Sequence, residues 1–500
     1  MNTRHQHLDT SGIQAGRAPR VVIVGGGIAG LAAAYRLKKL LDAAPQPVPL
    51  ILLESDDRLG GKILTERVDG FVIEGGPDTF LAYKPRGVGL CRELGLGDRL
   101  HGTNEKIRRT YVMRAGRLHT LPEGLTGLIP SRFGPMALTD LISPWGKLRM
   151  GWEYFVPPRR DEADESLAEF VERRLGREVY DRLIEPLLSG IYAGDGAQLS
   201  LGATFPQLRQ AEQQNGSLVK SMLAARRSAA AASNGAPRPS GARSAFLTPR
   251  AGLAEIVEAL EAQLAPVEVR RRATVAGLRP EPGGYRLRLA SGETLWAEAV
   301  ILATPGFVTA ELVAGFEPEM AQALRGIPYT STATVSLAYP LSAIPRPLDG
   351  YGYVIPKAEG RAILACTWTS TKFPHRAPEG YGLIRAFIGR AGADDVVARP
   401  DTDLLALAQA EVREVLGVTA APTLSRVFRW PQAMPQYTLG HLDRVRTVER
   451  CLAGRPGLWV AGNAYSGIGL PDCIASGEKA AEAAGAYLRA LAPAARPMPG

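Results

Sequence analysis

Gly25, Gly27 and Gly30 form a G-x-G-x-x-G series that follows the β-branched run Val21–Val24 and opens the segment LAAAYRLKKLL. This spacing suits a pyrophosphate. The first glycine permits a tight turn, the second lets backbone approach phosphate oxygens without an intervening Cβ, and the third lets helix and strand pack closely. The helix N-terminus adds free N–H groups and a partial positive charge, placing Ile28 and Ala29 beside the ligand. Glu54 ends the run LILLE, 24 residues beyond Gly30, where a carboxylate accepts hydrogen bonds from an adenosine ribose. Without a ligand, the same residues would make an ordinary strand–helix turn and a surface glutamate.

These residues need a βαβ unit to position them. Val21–Val24 and Leu50 to Glu54 read as buried parallel strands, and Leu31, Tyr35, Leu37, Leu40 and Leu41 give the intervening helix its apolar side. A proline-rich connection (Pro45, Pro47, Pro49) precedes the second strand. The stretch from about 86 to 215 reads as largely helical. From about 224 to 245 the composition turns to Ala, Ser, Gly, Pro and Arg, which predicts a flexible surface segment. Residues 267 to 303 read as three strands, 329 to 390 as another β-rich block, and about 473 to 491 as a final alanine-rich helix.

With 500 residues, two or three structural units are expected. The composition, 45% hydrophobic and 22% charged, is that of a globular enzyme, and no apolar run is long enough to span a bilayer. The first twenty residues read as a disordered leader. Cys91, Cys366, Cys451 and Cys473 form no CxxC pair, which argues against a disulfide framework or a metal site and favours a reducing cytosol. A net charge of +9 without a nucleic-acid module leaves an anionic membrane or a polycarboxylate substrate as the better partners.

The run ESDDRLGGKILT, with Arg58 before the pair Gly60-Gly61, resembles the extended FAD motif of the flavin-dependent amine-oxidase superfamily. GLWVAGNAYSGIGLPDCIASGEKAAEAA resembles that superfamily's closing flavin motif. More narrowly, VVIVGGGIAGLAAAY, ESDDRLGGKI, GFVIEGGPDTFL, PLLSGIYAGDGAQLS, FPHRAPEG and GNAYSGIGLPDCIASG, in this order, resemble the protoporphyrinogen and coproporphyrinogen oxidases of haem synthesis. The resemblance implies an α/β + α architecture. Its parts are a discontinuous Rossmann-type FAD-binding domain (21–85, 246–305 and 440–491), a helical domain for substrate entry or membrane association (86–215), a flexible segment (216–245) and a mixed-sheet substrate domain (306–439).

The same resemblance implies residue roles. Ser55, Arg58, Gly60, Gly61, Lys62, Gly76, Pro77, Asp78 and Val275 would line FAD. Gly462 and Asn463 would meet its ribityl-phosphate region, and Ile468, Gly469 and Leu470 would pass beside the isoalloxazine. Gly190 would leave room for a macrocycle, Phe373 would pack a pyrrole ring and Val354 would form the opposing wall. The alternative for Phe373 is a plain core phenylalanine, which the flanking motif disfavours. Arg109 and Lys84 are candidates to pair substrate propionates, or else solvated surface cations. Asp78, where members of the human type carry arginine, looks more like the Gram-positive type. His375 reads as structural or solvent-facing, and no catalytic base is assigned, because hydride transfer to flavin is the cofactor's own chemistry.

The implied reaction is six-electron oxidation of a porphyrinogen by oxygen, releasing hydrogen peroxide. Protoporphyrinogen IX and coproporphyrinogen III both remain open as substrate. The alternatives are an amine oxidase, a carotenoid-type desaturase or a non-catalytic flavin sensor. Residues 133 to 157, apolar and aromatic with Lys147, Arg149, Arg159 and Arg160 within or just beyond them, either lie on an anionic bilayer or form a helix pair over the active site. The implied setting is cytoplasmic or peripheral to the inner membrane face, with hand-off to the next haem-pathway enzyme.

Overall fold

The computed structural model describes residues 20–42, 48–122, 125–126, 129–130, 133–232 and 244–491. The expected leader, apart from Arg20, and the connection through Pro45 and Pro47 lie outside them. Strands made wholly of Val, Ile and Leu must be covered on both faces. Val21–Val24, Leu50–Leu53 and Ala299–Leu302 are buried at every position. They are the middle of a five-stranded sheet ordered Glu268–Arg270, Leu50–Leu53, Val21–Val24, Ala299–Leu302, Leu458–Val460, parallel throughout. Helices Ile28–Leu41, Ala254–Gln263 and Leu470–Leu491 cover one face. The other carries an antiparallel sheet of Val275–Glu281, Gly284–Leu289 and Thr294–Ala297 and two helices, Gly306–Val313 and Pro318–Arg325. The first and last helices approach so closely that a Cβ on Gly477 would lie 2.0 Å from the Ala29 carbonyl oxygen.

Residues 267 to 303 therefore make five strands, where three were expected. The run VEVRRRATVAGL divides at Arg272, which has φ +54°. Glu268–Arg270 joins the parallel sheet, whereas Val275–Glu281 joins the antiparallel one. A single stretch thus serves two sheets.

A seven-stranded mixed sheet runs Leu424–Pro435, Tyr329–Pro340, Tyr381–Ile388, Ile363–Trp368, Gly352–Val354, Tyr111–Arg114, Arg117–Thr120. Its last two strands correct the largely helical reading of 86 to 215. YVMRAGRLHT is a hairpin turning at Ala115 and Gly116, both at positive φ, and its first strand pairs in parallel with Gly352–Val354. One face of the sheet buries Val335, Leu337, Ile384, Ala386 and Ile388 under the helix Asp401–Leu416. The opposite face looks toward the functional region.

The helices begin with Phe133–Leu138 and Pro144–Gly151 and continue to Glu185–Tyr192 and Leu218–Ala232. Leu167–Leu175 starts with a full capping box between Ser166 and Glu169. Leu218–Ala232 corrects the flexible segment expected over 216 to 245 as far as Ala232, and 233 to 243 lie outside the described residues. Its start is fixed by the buried carboxylate of Glu153, which accepts from Ser217 Oγ at 2.6 Å and from the N–H groups of Leu218 and Val219. The alanine run then favours helix.

Candidate functional site

Gly25 and Gly462 leave the carboxyl ends of Val21–Val24 and Leu458–Val460, with Ala299–Leu302 between those strands. Open parallel sheets bind ligands at that edge. Gly25, at φ +106°, packs against the Ala303 carbonyl, and a Cβ on Gly30 would sit 1.8 Å from the Gly25 oxygen. A Cβ on Gly27 or Gly462 would meet no protein atom within 4 Å. These two glycines therefore border open space on either side of the sheet edge. Ile28–Leu41 starts with no side-chain cap, so its first-turn N–H groups, including those of Ile28 and Ala29, remain for a ligand.

The cradle is held from behind. Glu54 Oε2 accepts the Gly26 N–H at 2.6 Å, and Oε1 accepts from the Asp56 N–H and Ser55 Oγ. Arg58, read as an FAD contact, directs its guanidinium into its own loop, donating to the carbonyls of Gly61 and Ile63. It shapes the turn that brings Gly61 against Gly27. Val275 is buried where its strand begins, two residues past the Ala273 N–H that donates to the Glu54 carbonyl. The loop holding Gly76, Pro77 and Asp78 is clamped to the seven-stranded sheet. Gly75 O accepts from Thr334 Oγ1, Arg385 Nη2 and Trp430 Nε1, and Arg385 also reaches Gly76 O. Burial alone would raise the Asp78 carboxyl, but Lys372, 3.0 Å away, and Arg385 bring it down to about 2.

Lys62 is the unmatched cation of this region. It has no hydrogen bond or ion pair among the described residues, and burial lowers its ammonium to about 8. In the apoprotein, the unfolded chain then binds more protons than the folded one from about pH 8 up to 10.5. Stability should accordingly rise with pH across that window, the penalty being fully present below it. Denaturant midpoints should show this slope in apoprotein, and Lys62→Met or added FAD should flatten it. Equal slopes in variant and parent would show that Lys62 carries no unmatched charge.

At the carboxy-terminal side, Asn463 O accepts from Tyr437 OH at 2.7 Å, and Tyr437 stacks on His441 with ring centroids 3.9 Å apart. Gly462 N–H donates to Ser476 Oγ on the last helix. Ile468 packs toward the helical cluster, while Gly469 and Leu470 lead into Leu470–Leu491. Lys84, a propionate candidate, is already paired. Its Nζ lies 2.6 and 2.7 Å from the two Asp472 oxygens and fastens the start of that helix.

The apolar wall lies nearby. A Cβ on Gly190 would meet only Val354 Cγ1, at 3.9 Å. Val354 groups with Ala193, Leu364, Ala365 and Phe387. Phe373 is 1% exposed and lies beside Lys372 and Arg376, whereas the aromatic residue that shares the Val354 cluster is Phe387. Sequence reasoning missed Phe387, although alternation in LIRAFI puts Leu383, Arg385 and Phe387 opposite the core residues Ile384, Ala386 and Ile388. Arg109 stands apart from this wall. Its side chain is 65% exposed and turned to Asp349 at 3.3 Å. His375 has a half-buried imidazole, lowered to about 4 by desolvation and by Arg376.

Sheet edge, glycine cradle and carboxy-terminal turn together define a dinucleotide-cofactor oxidoreductase. The model of the flavin containing amine oxidoreductases matches residues 28–484, and the chain belongs to that family. Its cofactor is FAD. The open sides of Gly27 and Gly462, the free helix N-terminus and the unmatched Lys62 fit such an anionic group. The chain is 38% identical to the coproporphyrinogen III oxidase of Bacillus subtilis, over 94% of this chain and 98% of that one. It is 33% identical to the protoporphyrinogen oxidase of Homo sapiens, over 92% and 97%. A crystal structure from Exiguobacterium sp. 255-15 superposes with a TM-score of 0.81 at 35% identity, covering 94% and 99%. Cyclohexylamine oxidase from Brevibacterium oxydans, 17% identical with a TM-score of 0.65, shares the fold.

Proposed function

We propose that this enzyme oxidises a porphyrinogen, coproporphyrinogen III or protoporphyrinogen IX, to the porphyrin with oxygen, giving hydrogen peroxide, as a step of haem synthesis. The observation that carries this is the end-to-end relationship to coproporphyrinogen III and protoporphyrinogen oxidases. FAD supplies hydride acceptance from a methylene bridge and passes the electrons to oxygen. Three rounds remove six electrons, consume three oxygen molecules and release three of peroxide.

The chain's own residues bind, orient and exclude water. Gly25, Gly27 and Gly30 with Ile28 and Ala29 hold the pyrophosphate. Glu54 and Ser55 serve the adenosine end, and Lys62, Gly76, Pro77, Asp78, Gly462, Asn463, Ile468, Gly469 and Leu470 frame the flavin end. Val354 and Phe387 seat the macrocycle, with space over Gly190, and an apolar wall keeps water from the reacting carbon. We take 21–85, 246–305 and 440–491 as the FAD-binding unit, 86–215 as a mainly helical unit and 306–439 as the substrate unit. Supplying both porphyrinogens side by side tests the reading. Porphyrin fluorescence should rise with about three peroxides per porphyrin, and a rate no faster than air oxidation alone would refute it.

A peripheral membrane contact is part of the proposal. Among the described residues no helix is long and apolar enough to cross a membrane. Trp145, Leu148, Trp152 and Phe155 are nevertheless each more than 60% exposed on neighbouring turns. Arg149 is not available to lipid, because it caps the carbonyls of Glu172, Arg173 and Arg174, and Arg159 pairs with Asp161. Lys147 and Arg160 remain beside the patch. Trp145→Ser with Trp152→Ser should release the protein from sedimenting anionic liposomes, and a parent that never sediments would refute the contact.

A further inference from the structure

A porphyrinogen's propionates need a cation, and both sequence candidates are engaged elsewhere: Arg109 by Asp349 and Lys84 by Asp472. Another arginine stands at the apolar wall. Arg390 follows the strand that carries Phe387, where the sheet meets the helix that carries Gly190. The next residue, Ala391, donates its N–H to Ala193 O at 2.7 Å. Arg390 Nη2 points at the carbonyl of Ile355, directly after Val354, at 3.4 Å. Its Nη1 is buried without a hydrogen-bond partner and lies 3.6 Å from Glu185 Oε1, too far to donate.

Glu185 is itself occupied, accepting from Ser189 Oγ at 2.7 Å and from the Lys357 N–H at 2.9 Å. It steadies the guanidinium electrostatically and leaves the Nη1 donors without a hydrogen bond. Other buried arginines also keep unpaired nitrogens, Arg174 Nε, Arg376 Nε and both Nε and Nη1 of Arg385, but each makes two short hydrogen bonds. Arg376 holds Glu74 at 2.7 Å and Thr248 at 2.6 Å, Arg174 donates to two carbonyls, and Arg385 grips the Gly75–Gly76 loop. Arg390 has five N–H donors, one long hydrogen bond and the 3.6 Å ion pair with Glu185. Desolvation lowers its proton affinity, with Glu185 offsetting this in part. A half-satisfied guanidinium at low exposure gains most from a planar carboxylate that takes two parallel hydrogen bonds.

We infer that Arg390 is a substrate-binding residue that pairs a propionate of the macrocycle whose ring rests against Val354 and Phe387. This deepens the porphyrinogen reading and rests on it. The test crosses the holoenzyme, Arg390→Met and Arg390→Lys with coproporphyrinogen III and its tetramethyl ester, flavin content being checked in each protein. Arg390→Met should raise KM for the acid by about tenfold or more, the worth of a charge-assisted hydrogen bond. Its kcat should stay within about twofold, because the flavin chemistry is untouched. KM for the ester should be the same in parent and variant, and Arg390→Lys should recover part of the loss. An equal rise for acid and ester would reveal a merely structural residue and overturn the assignment, as would an unchanged KM for the acid. A parent enzyme that oxidises neither compound would instead remove the porphyrinogen reading, and this assignment with it.

Discussion

Gly27→Ala should yield a folded protein that purifies without colour. The added methyl meets no protein atom within 4 Å, so nothing in the apoprotein resists it. It projects instead where the backbone must approach the pyrophosphate. FAD affinity should fall by about 100-fold, close to 3 kcal/mol. Gly30→Ala is the contrasting case. Its Cβ would stand 1.8 Å from the Gly25 carbonyl oxygen, so the first turn of Ile28–Leu41 must shift and the fold itself should suffer. Circular dichroism with flavin titration separates the two. Full FAD binding by Gly27→Ala would place the cofactor elsewhere.

Gly190→Leu should separate stability from activity. Glycine inside a helix costs about 1 kcal/mol relative to a good helix former, so the substitution should hold or raise Tm. Val354 Cγ1 is the sole atom within 4 Å of the new Cβ, and the rest of the side chain enters the space assigned to the macrocycle. Turnover of the porphyrinogen, as kcat/KM, should drop by at least about 100-fold, which is close to 3 kcal/mol of transition-state binding. Bound FAD should be retained. Unimpaired turnover would move the substrate away from this helix.

The parallel strands were legible because runs such as VVIV and LILL have no polar face to expose, and the glycine series had a strand before it and a helix after it. What depended on distant partners was not legible. Nothing local shows that Tyr111–Arg114 pairs with Gly352–Val354, or that Glu153 caps a helix beginning 65 residues later. Arg109 and Lys84 are ordinary free cations until Asp349 and Asp472, 240 and 388 residues away, are brought to them. Phe373 drew attention through its flanking motif. The quieter signal was the period-two alternation that places Phe387 in the cluster that holds Val354.

A porphyrinogen should deliver its electrons to FAD gripped between the amino-terminal glycine cradle and the Gly462–Asn463 turn. Anaerobic mixing of the reconstituted protein with excess coproporphyrinogen III or protoporphyrinogen IX examines this without oxygen chemistry. The yellow flavin absorbance should bleach within the time of a turnover and return when air is admitted. A flavin that binds fully and stays oxidised in the presence of both compounds would rule out a porphyrinogen as its electron donor.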